Sequence, residues 1–174
     1  MLARLVAVQF PGKPIRYAAV THPHYDHTGG VRGMAATGAT LIVEKRHESA
    51  LRELVDAKHT HPADDLERRR TSGQSAGTIE TYDTTKAIAD GGQTLEFYAI
   101  TGSPHVEPMV LAYVPKSRVL FQSDLFFPGT GAGGPLAEHL LASIHQLNLK
   151  VDTMVGRHGG VGPFDEIVKA TAKR

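Results

Sequence analysis

Residues 21–30 constrain this chain more than any other segment, because they place three histidines and one aspartate within six residues. An apolar stretch that predicts a buried strand comes directly before them. Imidazole nitrogen and carboxylate oxygen are the ligands that Zn²⁺ and similar metals prefer. In an extended loop, His22 and His24 point the same way, and Asp26 can follow them while His27 turns away. The segment therefore predicts a loop that serves two adjacent metal ions.

Composition narrows the class of protein and of site. The 174 residues suit one domain, and the absence of Cys excludes a disulfide scaffold, a thiolate zinc finger, an iron–sulfur cluster and a Cys nucleophile. Lys and Arg number 19 against 18 Asp and Glu, a balance that argues against a nucleic-acid binder.

Hydropathy argues against a membrane partner, because no apolar run approaches the length of a membrane span. The opening residues 1–10 are too short and too weakly patterned for a signal peptide. We therefore expect a soluble protein. Its compartment is the cytoplasm by default, or the periplasm or the exterior if an export signal once preceded Met1.

Periodicity predicts a mixed α/β or α+β domain with layered sheets, spanning residues 1–174 without an internal boundary. Helices are predicted at 2–10, 31–37, 46–57 and 135–147. Strands are predicted at 15–20, 41–43, 78–82, 94–100, 109–114, 119–122 and near 154–155. Residues 58–77 are polar and charged, which indicates a solvated excursion or lid. His47 is expected on the polar side of the helix over 46–57.

Three further motifs follow predicted strands and supply candidate ligands. Residues 102–105 end in His105, residues 121–125 contain Asp124, and residues 156–160 contain His158. Taken singly, each of these side chains could belong to a turn or to a solvated surface. Their joint occurrence at strand ends favours a shared site.

With these motifs in view, the chain resembles the metallo-β-lactamase-fold hydrolases. The resemblance implies an αββα sandwich with one or two metals at the sheet edge. It implies that His22, His24 and His105 hold one metal, that Asp26, His27 and His158 hold the other, and that Asp124 bridges them. It also makes Asp26 the catalytic proton acceptor, since that carboxylate would lie beside the nucleophile.

The resemblance implies a hydrolase that uses two divalent metals and a bridging hydroxide. Zinc is the first expectation, with iron or manganese as alternatives for the same nitrogen and oxygen ligands. The absence of Cys removes the β-lactamase subclasses that use it as a ligand, and the remaining subclass lacks the bridging aspartate. Asp124 thus favours the lactonase, glyoxalase-II-like and phosphodiesterase branches of the family, and a small-molecule ester, lactone, thioester or amide is the expected substrate. β-Lactam hydrolysis and phosphodiester hydrolysis remain alternatives within the family.

The glycines at 129–134 satisfy the G-x-G-x-x-G pattern of dinucleotide-binding proteins. That pattern requires a strand directly before the glycines and a long sheet after them, and neither is present here. A mobile loop beside the metals is the better interpretation. Phe126 and Phe127 would form its apolar substrate wall, and Tyr25 is a third candidate contact with substrate.

A hypothesis of another class comes from the start of the chain. Family members place several strands before the metal motif, whereas 21 residues precede His22 here. The domain therefore looks short at its N-terminal end, which would leave an apolar sheet face to be covered. The alternative is a metal-binding but non-catalytic fragment, or a protomer that covers this face as a homodimer.

Overall fold

The computed structural model describes residues 2–172, which form two compact units. The first unit ends at Asp83 and the second begins at Thr84. Both contain helices and a sheet, which confirms the mixed α/β class. Among the helices of residues 2–172, none has both the length and the apolar character needed to cross a membrane.

The first unit is built on a three-stranded parallel sheet in the order β1-β2-β3. Its strands are β1 (Tyr17–Ala19), β2 (Thr40–Glu44) and β3 (Ile79–Tyr82). Its helices are α1 (Leu2–Gln9), α2 (Tyr25–Thr28), α3 (Val31–Ala36), α4 (Glu48–Asp56) and α5 (Asp65–Thr71), with a 3₁₀ turn at Lys45–His47. Parallel strands end at the same edge of a sheet, and the chain leaves β1 at that edge toward His22.

Apolar faces of α3, α4 and α5 meet on one side of this sheet. The buried cluster contains Val20, Val31, Ala35, Leu41, Val43, Leu51, Val55 and Leu66. Each fully buried side chain of this size contributes about 1.5–3 kcal/mol relative to exposure. The pattern in α4, where Leu51 and Val55 lie one turn apart and are buried, is that of an amphipathic helix.

The polar segment 58–77 contains a helix that composition did not reveal. Leu66 is its buried residue, and the Asp64 carboxylate caps α5 by accepting a hydrogen bond from the Glu67 backbone N–H at 2.8 Å. Arg32 of α3 donates to both oxygens of Asp64, at 2.6 and 3.1 Å. This guanidinium holds the pKa of Asp64 at about 2. The segment is thereby tied to α3, and its role as a lid stays a prediction.

The second unit is built on a six-stranded sheet in the order β4-β5-β6-β7-β8-β9. Its strands are β4 (Thr85–Asp90), β5 (Gln93–Ile100), β6 (Met109–Val114), β7 (Val119–Gln122), β8 (Thr153–Gly156) and β9 (Val161–Pro163). Its helices are α6 (Pro135–Gln146) and α7 (Asp165–Ala172). All pairings are antiparallel except β7 with β8, which are joined through α6. Leu140, Ile144 and Ile167 of the two helices are fully buried in the core of this unit.

His47 differs from expectation, because it does not lie on the polar side of a helix. It ends the 3₁₀ turn before α4 and is only 4% exposed. Neither ring nitrogen has a hydrogen-bond partner within residues 2–172. Burial lowers the pKa of His47; the nearby Glu44 carboxylate opposes that shift, and Arg46 adds to it. Burial therefore favours the neutral form of His47.

We expect this histidine to make the protein less stable in acid. The unfolded chain binds a proton at His47 below pH 6.5, whereas the folded chain binds it only at lower pH. Stability is then fully present above pH 6.5 and is lost as the pH falls, by at most about 1.4 kcal/mol per pH unit. Urea unfolding between pH 8 and pH 5 measures this slope. In His47→Gln the slope should be shallower, while the exposed-site control His145→Gln should match the wild type. Equal slopes in all three proteins would contradict the prediction.

Candidate metal centre

The loop after β1 brings two imidazoles of the first unit together. His22 is fully buried, and its Nε2 lies 3.2 Å from Nδ1 of His24. The other nitrogen of His22, Nδ1, lies 3.2 Å from the Thr21 hydroxyl. The backbone is extended at His24, so the two side chains fall on the same side, as the sequence predicted.

From Tyr25 onward the loop is helical rather than extended. The His24 carbonyl accepts hydrogen bonds from the backbone N–H of His27 and from the Thr28 hydroxyl, both at 3.0 Å, and these close the single turn of α2. Within this turn, Nε2 of His27 lies 3.0 Å from Oδ2 of Asp26. A helical turn therefore sets the geometry of the Asp26–His27 pair. The alternation of side chains that is expected for an extended loop ends at His24.

Asp124 is the central residue of the second unit's cluster. Its Oδ2 lies 3.2 Å from Nε2 of His105, and its Oδ1 lies 3.3 Å from Nε2 of His158. Each carboxylate oxygen thus faces a different imidazole, which is the arrangement of a bridging ligand. The Asp124 side chain is only 12% exposed, so little water surrounds its carboxylate.

Gln122 braces the turn that carries Asp124. Its buried Oε1 accepts hydrogen bonds from the backbone N–H groups of Leu125 and Phe126, at 3.2 and 3.1 Å, and its Nε2 donates to the Phe126 carbonyl. Asp124 itself has a φ of 63°, in the left-handed region that Asp tolerates better than most residues. Gln122 is a functional residue that sequence reasoning missed. The available signal was a glutamine at the last position of a strand, directly before the Ser-Asp pair.

The loop that carries His158 requires glycine at one position. Gly159 has a φ of 92°, and a Cβ there would lie 2.7 Å from the Pro128 carbonyl oxygen. The backbone therefore packs directly against residues 127–128. On that segment, the Phe127 ring meets the His158 imidazole edge to face, with 5.8 Å between centroids.

The loop that carries His105 is closed by two local hydrogen bonds. The backbone N–H of Gly102 donates to Oε2 of Glu107 at 2.5 Å, and that of His105 donates to the Ser103 hydroxyl at 3.2 Å. Gly102 has a φ of 75°, a conformation that favours glycine. Both bonds fix the direction in which His105 leaves the backbone.

Comparison with known proteins identifies the family of this chain. The family model described as "Metallo-beta-lactamase superfamily" matches residues 1–158. The chain belongs to the metallo-beta-lactamase superfamily. No curated protein matches the sequence significantly.

Solved structures show the fold of this superfamily at low sequence identity. A metallo-beta-lactamase from Pontibacter korlensis is 18% identical, with a TM-score of 0.66, over 97% of this chain and 72% of that one. One from Hirschia baltica is 16% identical, with a TM-score of 0.60, over 95% and 71%. The flavodiiron protein of Giardia intestinalis is 17% identical, with a TM-score of 0.66, over 97% of this chain but only 43% of that one.

The side chains predicted to contact substrate have different environments. Tyr25 is 87% exposed and Phe127 is 39% exposed. Phe126 is only 2% exposed, because Gln122 bonds its backbone and its ring packs in the core of the second unit. It is therefore a core residue of this unit, and no part of a wall that a substrate could touch.

The glycine loop 129–134 is held by α7. The backbone N–H of Gly129 donates to Oε2 of Glu166 at 2.7 Å. A Cβ at Gly133 would collide with the Ala170 carbonyl, so the loop and α7 are in direct backbone contact. Gly133 therefore serves close packing within the second unit, whereas Gly129, Gly131 and Gly134 have positive φ values, which favour glycine.

The donor atoms of both clusters suit divalent metals. Each unit presents imidazole nitrogens and one carboxylate within about hydrogen-bond distance of each other, and the chain contains no cysteine thiolate. The Nε2 atoms of His27 and His105 are shielded from solvent. A shielded nitrogen facing a carboxylate is an arrangement that a shared cation would stabilise.

We expect Gln122→Leu to displace Asp124 and weaken metal binding. The variant loses three hydrogen bonds and leaves two backbone N–H groups without an acceptor, so the free energy of unfolding should fall by about 3 kcal/mol. Chemical unfolding and metal analysis measure the two effects. Gln146→Leu, at an exposed position of α6, is the matched control. Full metal content in Gln122→Leu would contradict the bracing role.

Proposed function

We propose that this protein is a dinuclear metallo-hydrolase of small molecules. The observation that carries the proposal is Asp124, whose two oxygens face two different histidines. A carboxylate in that position is suited to hold two cations at once. The family of the chain, whose members include lactamases, is consistent with hydrolysis.

The proposed ligand sets follow the family motif. His22, His24 and His105 would hold one ion, and Asp26, His27 and His158 the other, with Asp124 between them. When bound, two divalent cations would polarise a scissile carbonyl and make hydroxide available near neutral pH. Zinc suits these nitrogen and oxygen ligands. Iron is the second candidate, since flavodiiron proteins share the fold.

Asp26 is the proposed proton acceptor. Its side chain is 40% exposed, so one part of the carboxylate remains open to solvent or substrate while Oδ2 faces His27. A positioned carboxylate can take a proton from the nucleophile and return it to the leaving group. Two divalent cations outweigh the two carboxylates, and the resulting positive charge would stabilise a developing oxyanion.

The proposed substrate is a small ester, lactone, thioester or amide. The formal charge of +1 offers little attraction for a polyanion such as nucleic acid. Tyr25 and Phe127 present exposed aromatic surface that an apolar substrate group would contact. β-Lactams and phosphodiesters are the alternative substrates within the same reaction class.

A hydrolysis panel on protein reconstituted with zinc, iron or manganese tests the proposal. It should contain a lactone, a β-lactam, a thioester and a phosphodiester, with metal content measured on the same samples. We expect turnover on a carbonyl substrate with two metals bound. Two bound metals without turnover on any substrate would instead indicate a non-catalytic metal protein. Oxygen reduction by the iron form alone would indicate a redox enzyme.

Substitution of one proposed ligand, compared with a matched control substitution, tests the ligand assignment. His105→Ala should lose metal and lower kcat/KM by at least about a hundredfold, because it removes a proposed ligand beside Asp124. His145→Ala removes an exposed histidine of α6 in the same unit and should match the wild type. Equal metal content and activity in both variants would overturn the ligand assignment.

A further inference from the structure

The first unit contains a cavity of about 650 Å³ between α1, β1 and α3. This volume lies within the range of about 300–1,000 Å³ that is usual for small-molecule sites. Its wall is mainly aliphatic and includes Val6, Ile15, Val31, Met34 and Leu41. The His27 ring forms one part of the wall, and the proposed hydrolysis uses none of the aliphatic residues. The proposed hydrolysis therefore does not account for the aliphatic part of this cavity.

Arg4 supplies a positive charge at the cavity and has no counter-ion among the residues that the structure describes. Arg4 and Asp65 both line it, but Asp65 is paired with Arg68. Arg4 is exposed and forms no ion pair within residues 2–172. An aliphatic interior with a solvated cation at the rim matches the two ends of an anionic amphiphile.

The surrounding sequence has the same sign of charge. Residues 1–25 contain Arg4, Lys13 and Arg16 and neither Asp nor Glu. In β1, Ala18 and Ala19 line the cavity with small side chains. These three cations favour an anion at the rim, and the small side chains of Ala18 and Ala19 leave space behind it.

We propose that this cavity binds the aliphatic chain of a free carboxylate of medium or long chain length, with its carboxylate at Arg4. The inference goes beyond the proposed hydrolysis and concerns a separate binding event. Binding is measured without turnover, so its failure leaves the proposed function untouched.

Two other occupants fit the observations less well. In a symmetric dimer the same surface faces itself, so Arg4, Lys13 and Arg16 would meet the same three cations of the second copy. A lipid bilayer would contact convex surface, such as Leu5 and Val8 of α1, which are 53% and 78% exposed. It would not fill a concave cavity. A free carboxylate with an aliphatic chain matches both the volume of the cavity and the positive charge of Arg4.

Calorimetric titration of the metal-loaded protein with octanoate, decanoate and dodecanoate, below their micelle concentrations, tests the proposal. Affinity should rise about fourfold for each methylene added, because each buried CH₂ contributes about 0.8 kcal/mol. The rise should stop when the cavity is full. A set of affinities independent of chain length would overturn the proposal, as would absence of binding.

Gly33 offers a matched pair of variants, because it lines the cavity in α3 and a Cβ there meets no atom within 4 Å. Gly33→Leu should fill space and lower dodecanoate affinity by at least about tenfold. Gly33→Ala should retain affinity. Both residues favour helix more than glycine does, so Tm should not fall in either variant. Unchanged affinity in a folded Gly33→Leu would overturn the site.

Arg4→Gln tests the head-group contact. It should weaken dodecanoate binding roughly two- to fivefold, as expected for an exposed ion pair, and leave dodecanol binding unchanged. Light scattering and sedimentation with anionic phosphatidylglycerol vesicles complete the experiment. A stable dimer that excludes dodecanoate would overturn the proposal in favour of a second copy. Binding to vesicles without binding of free dodecanoate would overturn it in favour of a membrane surface.

Discussion

Parallel pairing of strands determines where the candidate ligand residues of this protein lie. In the first unit β1 runs parallel to β2, and the chain leaves β1 directly into the segment with His22. In the second unit β7 runs parallel to β8; Asp124 follows the first of these strands and His158 follows the second. Carboxyl ends of parallel strands share an edge, and loops at that edge are the usual location of sites in α/β proteins. Each cluster is therefore a consequence of sheet topology.

The second unit holds its candidate ligand Asp124 in a backbone conformation that costs free energy locally. A non-glycine residue in the left-handed region costs of order 1–3 kcal/mol, and Asp124 has that conformation. The three hydrogen bonds of Gln122 and the burial of Phe126 offset that cost. Gly159 also has a left-handed conformation, and its lack of a side chain lets two backbone segments pack directly against each other. The geometry of the candidate ligands therefore depends on neighbouring residues outside the candidate ligand sets.

The sequence was informative wherever a local pattern determined structure. Apolar runs identified β2, β5, β6 and β7, and the spacing of His22 and His24 placed their imidazoles together. Tertiary contacts decided the rest. Helix α5 has one buried apolar residue, Leu66, so periodicity could not reveal it. His47 looked solvated because a helix was expected to begin before it, whereas it ends a 3₁₀ turn and is buried.

The bond from Arg32 to Asp64 has a practical consequence for anyone who labels this protein. Judged by polarity, residues 58–77 look like a suitable place for a peptide tag or a reporter domain. An insertion there would separate groups that tie the segment to α3 and would expose Leu66. The turn at Gly91 and Gly92 between β4 and β5 is the better choice for an insertion. Both glycines are exposed, and a Cβ added at either of them would meet no atom within 4 Å.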